Sequence, residues 1–287
     1  MAILYEPIGS LDAVAGGYAA ILCDVWGVVH NGEAAFPEAA AALARARDRG
    51  IAVVLITNSP RPHHDVERQL GVLGVPDKAW DRVVTSGDVT RDLIRQAPRR
   101  IFHLGPDRDF SLYEGIDVEL VEEFEADAVV CTGLVEDEVE TPEDYAEILR
   151  RLRSRDLPFI CANPDIVVER GKRMIWCAGA LARDYGLLGG RTLVSGKPHR
   201  PIYEASLVAA GAVLGRTVAA GDALAIGDGM LTDVKGAADH GIDVLYVSGG
   251  IHAREYGEDA AFPDPARLSD YLARHGRAPV AVIPHLR

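Results

Sequence analysis

Short, almost wholly apolar runs alternate with stretches of helical periodicity along nearly the whole chain, and this rhythm restricts the fold more than any other feature. A strand that is apolar on both faces must be covered on both sides, and a parallel sheet flanked by crossover helices does this. The runs AAILCDVW (19–26), IAVVLITN (51–58) and RVVTSG (82–87) read as buried strands, separated by helical patterns at 37–50 and 63–74. A second block offers strands at 100–105, 126–133 and 157–163, with helices at 142–155 and 176–186. There follow a strand at 191–196, a helix at 200–215, a strand at 223–228, a helix starting near Leu231 and a strand at 242–249. The expected class is α/β, with a doubly wound parallel-sheet core.

A chain of 287 residues exceeds the usual size of one domain. Reactive side chains lie on both flanks of the second block. Residues 1–87 plus 189–287 are therefore expected to form a discontinuous core, and 88–188 an inserted α/β cap.

Composition excludes several classes of function. The formal net charge of −13 repels a phosphate backbone, and no long Lys/Arg run offers an exception, so nucleic acid is not an expected partner. No uninterrupted apolar stretch is long enough for a membrane span, and the opening MAILYEPIGSLDAVAG lacks the pattern of a secretory signal. A cytoplasmic protein is expected. Cys23, Cys131, Cys161 and Cys177 form no CxxC pair and read as reduced, packed thiols. The acidic runs 121–127 and 135–144 read as solvated faces.

Reactive side chains close several of the core strands or the loops beyond them, and the carboxyl ends of neighbouring strands in an open parallel sheet form a ligand crevice. Asp24 in ILCDVWGVVHNG ends an apolar strand, where a carboxylate is costly unless paired or metal-bound. Thr57 and Asn58 in LITNSP offer a hydroxyl and loop amides. Lys197 in VSGKPHRP supplies a cation between a strand and a helix. Asp228 and Asp233 in AIGDGMLTDVKGA flank a tight turn at a helix start, and a pair of carboxylates suits a hard, oxygen-seeking cation such as Mg²⁺. Each segment alone reads as turn chemistry or a surface lysine. Their combination is what points to a site.

Spacing removes two other phosphate-binding arrangements. Pro198 follows Lys197 where a P-loop needs Ser or Thr, and Arg191 stands where its first glycine belongs. Thr232 occupies the third glycine position of a dinucleotide fingerprint beginning at Gly227.

DVWGV at 24–28, ITN at 56–58, SGKP at 195–198 and GDGMLTD at 227–233, with an insert of fitting size, resemble the haloacid dehalogenase superfamily, class IIA. That group includes N-acetylglucosamine phosphate and pyridoxal phosphate phosphatases. The resemblance implies a core with a class IIA cap, a small phosphorylated metabolite as substrate, Mg²⁺ as cofactor and a homodimer. It implies that Asp24 attacks phosphorus to form an aspartyl-phosphate, and that Lys197 neutralises Asp24 and the transferring group. Thr57, Asn58 and the loop at Gly27 would hold the phosphoryl group. Asp24, the backbone carbonyl of Trp26, Asp228 and Asp233 would serve the metal. Asn163 and Asp165, in the NPD turn of a cap loop, would meet the substrate, with Lys172 and Arg173 further along that loop.

One position departs from the pattern. The resembling phosphatases carry a second Asp two residues after the nucleophile, on the same side of an extended chain, and here it is Trp26. An indole donates a hydrogen bond but shuttles no proton near neutral pH, and a positioned general acid or base is worth roughly 10² to 10⁴ in rate. Three consequences stay open: a substrate with a good leaving group, another proton donor, or binding without turnover. His30 is the nearest titratable group in the loop, and His199 lies beyond Lys197. Dehalogenation needs no proton for its leaving group but also needs no metal, so retention of Asp228 and Asp233 favours a phosphoryl substrate.

Overall fold

A computed structural model describes residues 5–171, 173–257, 259–276 and 278–287. In chain order the strands are β1 (Ala20–Asp24), β2 (Ala52–Thr57), β3 (Arg82–Thr85), β4 (Arg100–Leu104), β5 (Glu119–Leu120), β6 (Ala128–Cys131), β7 (Phe159–Cys161), β8 (Val167–Arg170), β9 (Arg173–Trp176), β10 (Thr192–Val194), β11 (Ala223–Gly227), β12 (Asp243–Val247) and β13 (Ala281–Ile283). They form a six-stranded sheet ordered β13-β12-β11-β1-β2-β3, a five-stranded sheet ordered β10-β7-β6-β4-β5, and the antiparallel pair β8-β9.

The α/β class follows from burial. Every residue of β1, β2 and β11 is buried, as the unbroken apolar runs require of strands covered on both faces. β1 pairs in parallel with β2 on one side and β11 on the other, with Asp24 opposite Ile56 and Cys23 opposite Ile226. This register brings the ends carrying Asp24, Thr57 and Asp228 together.

The chain divides into two compact units, one of 1–57, 67–84 and 203–287, the other of 58–66 and 85–202. In the second unit the pleat of the five-stranded sheet sorts its apolar residues into two cores. Val129, Cys131, Phe159 and Cys161 pack with Leu149, Leu181 and Tyr185. Ile101, Val130 and Ile160 pack with Ile94 and Leu112.

Several local expectations change. The strand expected to reach residue 87 ends at Thr85, because Thr85 caps the helix Ser86–Gln96 through a capping box with Asp88. The strand expected to rejoin the core at 191–196 is instead β10, the edge of the five-stranded sheet, where it pairs with β7. The turn after Asp228 begins as a π-helical turn, Met230–Val234, before the α-helix Lys235–Asp239. The acidic runs are not merely solvated. Glu123 receives two hydrogen bonds of 2.7 Å from Arg151, and Asp137 receives Arg108 and Arg170 on one oxygen.

Candidate active site

In the first unit, one ligand oxygen each from Asp24, Asp228 and Asp233 lies within 4.8 Å of the others, and all three residues are buried. Three carboxylates so close repel one another in a low-dielectric setting unless protons or a cation offset them. The surrounding backbone is built against this cluster. Asp228 Oδ2 accepts the Ile251 amide at 2.8 Å, and Asp233 Oδ2 accepts the Gly229 amide at 3.0 Å. Gly27 and Gly250 both press on Asp228, where a Cβ would stand 2.4 Å and 2.0 Å from its Oδ2. Gly27 also has φ +82°, a conformation that favours glycine. Tyr203 steadies the far side by donating to the carbonyls of Thr232 and Asp233 at 3.2 Å and 3.3 Å. An all-oxygen, anionic donor set with backbone packed around it fits a hard divalent cation.

Trp26 follows in a tight loop. The Val29 amide bonds the Val25 carbonyl at 2.8 Å, and the Gly27 amide bonds the His30 carbonyl at 2.8 Å. The half-buried indole meets the His30 ring edge to face, with centroids 5.0 Å apart. His30 is buried, and its Nδ1 accepts the Gly32 amide at 2.9 Å, which leaves the ring proton on Nε2. Burial pushes its pKa down to about 4. A neutral imidazole whose Nδ1 is occupied does not replace the missing acid at neutral pH.

Thr57 ends β2, buried, one residue past the partner of Asp24. In the second unit, Asn58 is buried and its side-chain amide is committed. Its Oδ1 accepts the Lys197 amide at 2.8 Å, while its Nδ2 donates to Asp165 Oδ1 at 2.9 Å and to the Lys197 carbonyl at 3.2 Å. Lys197 is itself buried, and its peptide bond to Pro198 is cis. Asn163 holds the turn by accepting the Asp165 amide at 3.1 Å. Arg173 reaches back to Glu138, whose carbonyl it bonds at 2.7 Å, and Lys172 lies outside the described residues.

Some contributors carried no obvious sequence signal. The Ser86 hydroxyl is buried without a hydrogen-bond partner beside Gly196, and Gly87 packs so close that a Cβ would stand 2.2 Å from the Pro60 carbonyl oxygen. Gly250 lies in the SGG that follows β12, and only the position of that strand beside β11 shows it facing Asp228.

Comparison with known proteins identifies the family. Residues 21–119 match the model of haloacid dehalogenase-like hydrolases, and residues 194–274 match a second model described as HAD-hydrolase-like. A solved haloacid dehalogenase-like hydrolase from Brucella suis 1330 is 61% identical and superposes with a TM-score of 0.89 over 98% of this chain and all of that one. The chain belongs to the haloacid dehalogenase-like hydrolase family and is a hydrolase of that family. Among curated relatives, the 5'-nucleotidase YutF of Bacillus subtilis is 28% identical over 84% of this chain and 91% of its own length. The ribonucleotide monophosphatase NagD of Escherichia coli K12 is 26% identical over 80% of this chain and 88% of its own.

Proposed function

We propose that this chain is a Mg²⁺-dependent phosphatase that transfers the phosphoryl group of a small metabolite to Asp24 and favours substrates with good leaving groups. The observation that carries the reading is the buried triad of Asp24 at the end of β1, Asp228 just after β11 and Asp233 in the π-helical turn that follows. The named activities of YutF, a 5'-nucleotidase, and NagD, a ribonucleotide monophosphatase, support the same class.

Asp24, the Trp26 carbonyl, Asp228 and Asp233 would hold the ion. Bound there, it supplies positive charge that offsets the phosphoryl oxygens and the three carboxylates. The chain's own residues do the rest. A carboxylate oxygen of Asp24 attacks phosphorus, and the leaving oxygen departs with the bonding pair. Thr57 and the backbone at Gly27 bind phosphoryl oxygens, and the likeness of SGKP at 195–198 to the family pattern would give the Lys197 ammonium the balancing of charge on the transferring group. Asn163 belongs to the cap turn that would meet the substrate. Water then attacks phosphorus, freeing Asp24 and inorganic phosphate.

Trp26 sets the preference. With no carboxylate at that position, the leaving oxygen departs unprotonated, so a weakly basic one such as that of an acyl, enol or aryl phosphate is handled best. Wild type with Mg²⁺ is expected to hydrolyse an aryl phosphate measurably and an alkyl phosphate barely. Trp26→Asp is expected to raise alkyl-ester turnover by up to roughly 10² to 10⁴, and Asp24→Asn to abolish both activities. A wild type that binds phosphometabolites yet releases no phosphate even from acyl phosphates, beside a folded and inert Trp26→Asp, leaves a silent binding protein in place of an enzyme.

A further inference from the structure

In the second unit, a chain of short contacts links the NPD turn to the backbone of Lys197. The turn is seated from below by Gly179, at the start of the helix Ala178–Leu187, where a Cβ would stand 2.1 Å from the Pro164 carbonyl oxygen and 2.4 Å from that of Asp165. Cys161 Sγ, at the end of β7, donates to the Asn163 carbonyl at 3.2 Å. The Asp165 carboxylate then accepts one proton of the Asn58 amide at 2.9 Å, the second proton reaches the Lys197 carbonyl at 3.2 Å, and Asn58 Oδ1 accepts the Lys197 amide at 2.8 Å. Both protons of that amide are thereby used, and its oxygen is engaged. Gly196 completes the fit, since a Cβ there would stand 2.5 Å from Ser86 Oγ, 2.7 Å from Asn58 Oδ1 and 2.8 Å from Pro164.

A side-chain amide spent in this way cannot also grip a phosphoryl oxygen with its protons. It holds both polar groups of the Lys197 main chain, and so fixes where that residue starts. An ionised Asp165 as acceptor makes the outer hydrogen bond charge-assisted and fixes which end of the Asn58 amide faces Lys197. A flipped amide would set its protons against the Lys197 amide and its oxygen against both the Asp165 carboxylate and the Lys197 carbonyl, three repulsive contacts in place of three attractive ones.

We propose that Asp165, acting through Asn58, is a positioning residue that sets the backbone of Lys197, and that neither side chain is a ligand of the phosphoryl group. This deepens the phosphatase reading and rests on it for the role of Lys197. The turn that reads the substrate and the cation that serves the chemistry are then one hydrogen-bonded unit, so a displaced turn would misplace the lysine.

The test pairs kinetics on an aryl phosphate with hydrogen exchange at the Lys197 amide, in the full chain with Mg²⁺ present. Asp165→Ala removes the acceptor and is expected to lower kcat about tenfold or more, with KM changed little, and to speed exchange at Lys197. Asp165→Asn keeps an oxygen at the same place and is expected to restore both values to near wild type. Unchanged amide protection at Val129–Cys131 shows that the unit remains folded, and Asp165→Ser substitutes for Asp165→Ala if it does not. A rise in KM with kcat untouched identifies Asp165 as a direct substrate ligand and overturns the proposal, as does an Asp165→Asn no better than Asp165→Ala. A wild type without phosphatase activity defeats the phosphatase reading instead. In that case exchange still decides the clamp: faster in Asp165→Ala and normal in Asp165→Asn upholds it, and equal rates in all three proteins sink it.

Discussion

Trp26 and His30 form a small aromatic pair on the loop after β1, and each carries a consequence the other does not. The tryptophan was legible in the sequence, because its two-residue offset from Asp24 could be compared with the family pattern. The state of His30 was not, because burial and the Gly32 contact are properties of the folded loop. Its pKa is lowered from 6.5 to about 4 by burial, so the unfolded chain takes up a proton at a higher pH than the folded one. The linked stability is therefore complete above about pH 6.5 and falls as the pH drops toward 4, by an amount on the order of 3 kcal/mol. His30→Asn offers an oxygen near the position of Nδ1 and does not titrate. The variant is expected to be less stable than wild type at pH 7, having lost buried ring contacts, yet to lose less on acidification. Urea unfolding at pH 7 and pH 4.5 measures both, and parallel losses in the two proteins would remove His30 as the cause.

Elements covered by continuous apolar runs were the most legible. β1, β2, β11 and β12 fall within their expected ranges, because a strand buried on both faces declares itself by composition. The short or half-exposed elements were not. β10 is a three-residue edge strand with no fully buried residue, and nothing in RTLVSG states which sheet it joins. The helix Pro265–Arg274 lies beyond the last element expected from the sequence and was missed, although Asp264 caps it through its side chain, Pro stands at its start and Leu268, Tyr271 and Leu272 are buried. The boundary at Ser86 shows why local rules mislead. TSG after an apolar run reads as the end of a strand, whereas here Thr85 is a helix cap and Gly87 lies inside the first turn. A glycine replaced by alanine within a helix ordinarily gains up to about 1 kcal/mol. At Gly87 the sign should reverse, because the new Cβ would stand 2.2 Å from the Pro60 oxygen and 2.7 Å from the Arg61 oxygen, both backbone atoms. The Gly87 amide also bonds the Ser59 carbonyl at 3.0 Å, so a shift of the helix start would strain that contact. Gly87→Ala is expected to cost about 1–3 kcal/mol in urea unfolding, and an equal or higher stability would show that the Ser59–Arg61 loop yields freely.

At the scale of the whole chain, the residues of the proposed function are distributed over two compact units. The first unit carries the three clustered carboxylates, while Asn58, Asp165 and Lys197 belong to the second. Among the described residues no helix is long and apolar enough to cross a membrane. The chain has a formal net charge of −13, and the carboxylate triad sets three acidic groups close together in a buried place. A cation bound there in the folded state, and absent from the unfolded one, stabilises by mass action, by about 2.7 kcal/mol at a hundred times its dissociation constant. Spread over a unit of ordinary size this corresponds to a rise in Tm of roughly 5–10 °C. Scanning calorimetry with and without millimolar Mg²⁺ is expected to show that rise in the transition of the first unit, or in the single transition if the units melt together. Asp228→Asn should behave oppositely in the two conditions. Without metal it removes one charge from the triad and is expected to melt no lower than wild type, provided its amide oxygen still accepts the Ile251 amide. With metal it is expected to gain little, because a neutral amide holds a hard cation poorly. A wild type whose Tm ignores Mg²⁺, or an Asp228→Asn stabilised by it as strongly as wild type, would show that the triad is not where the cation binds.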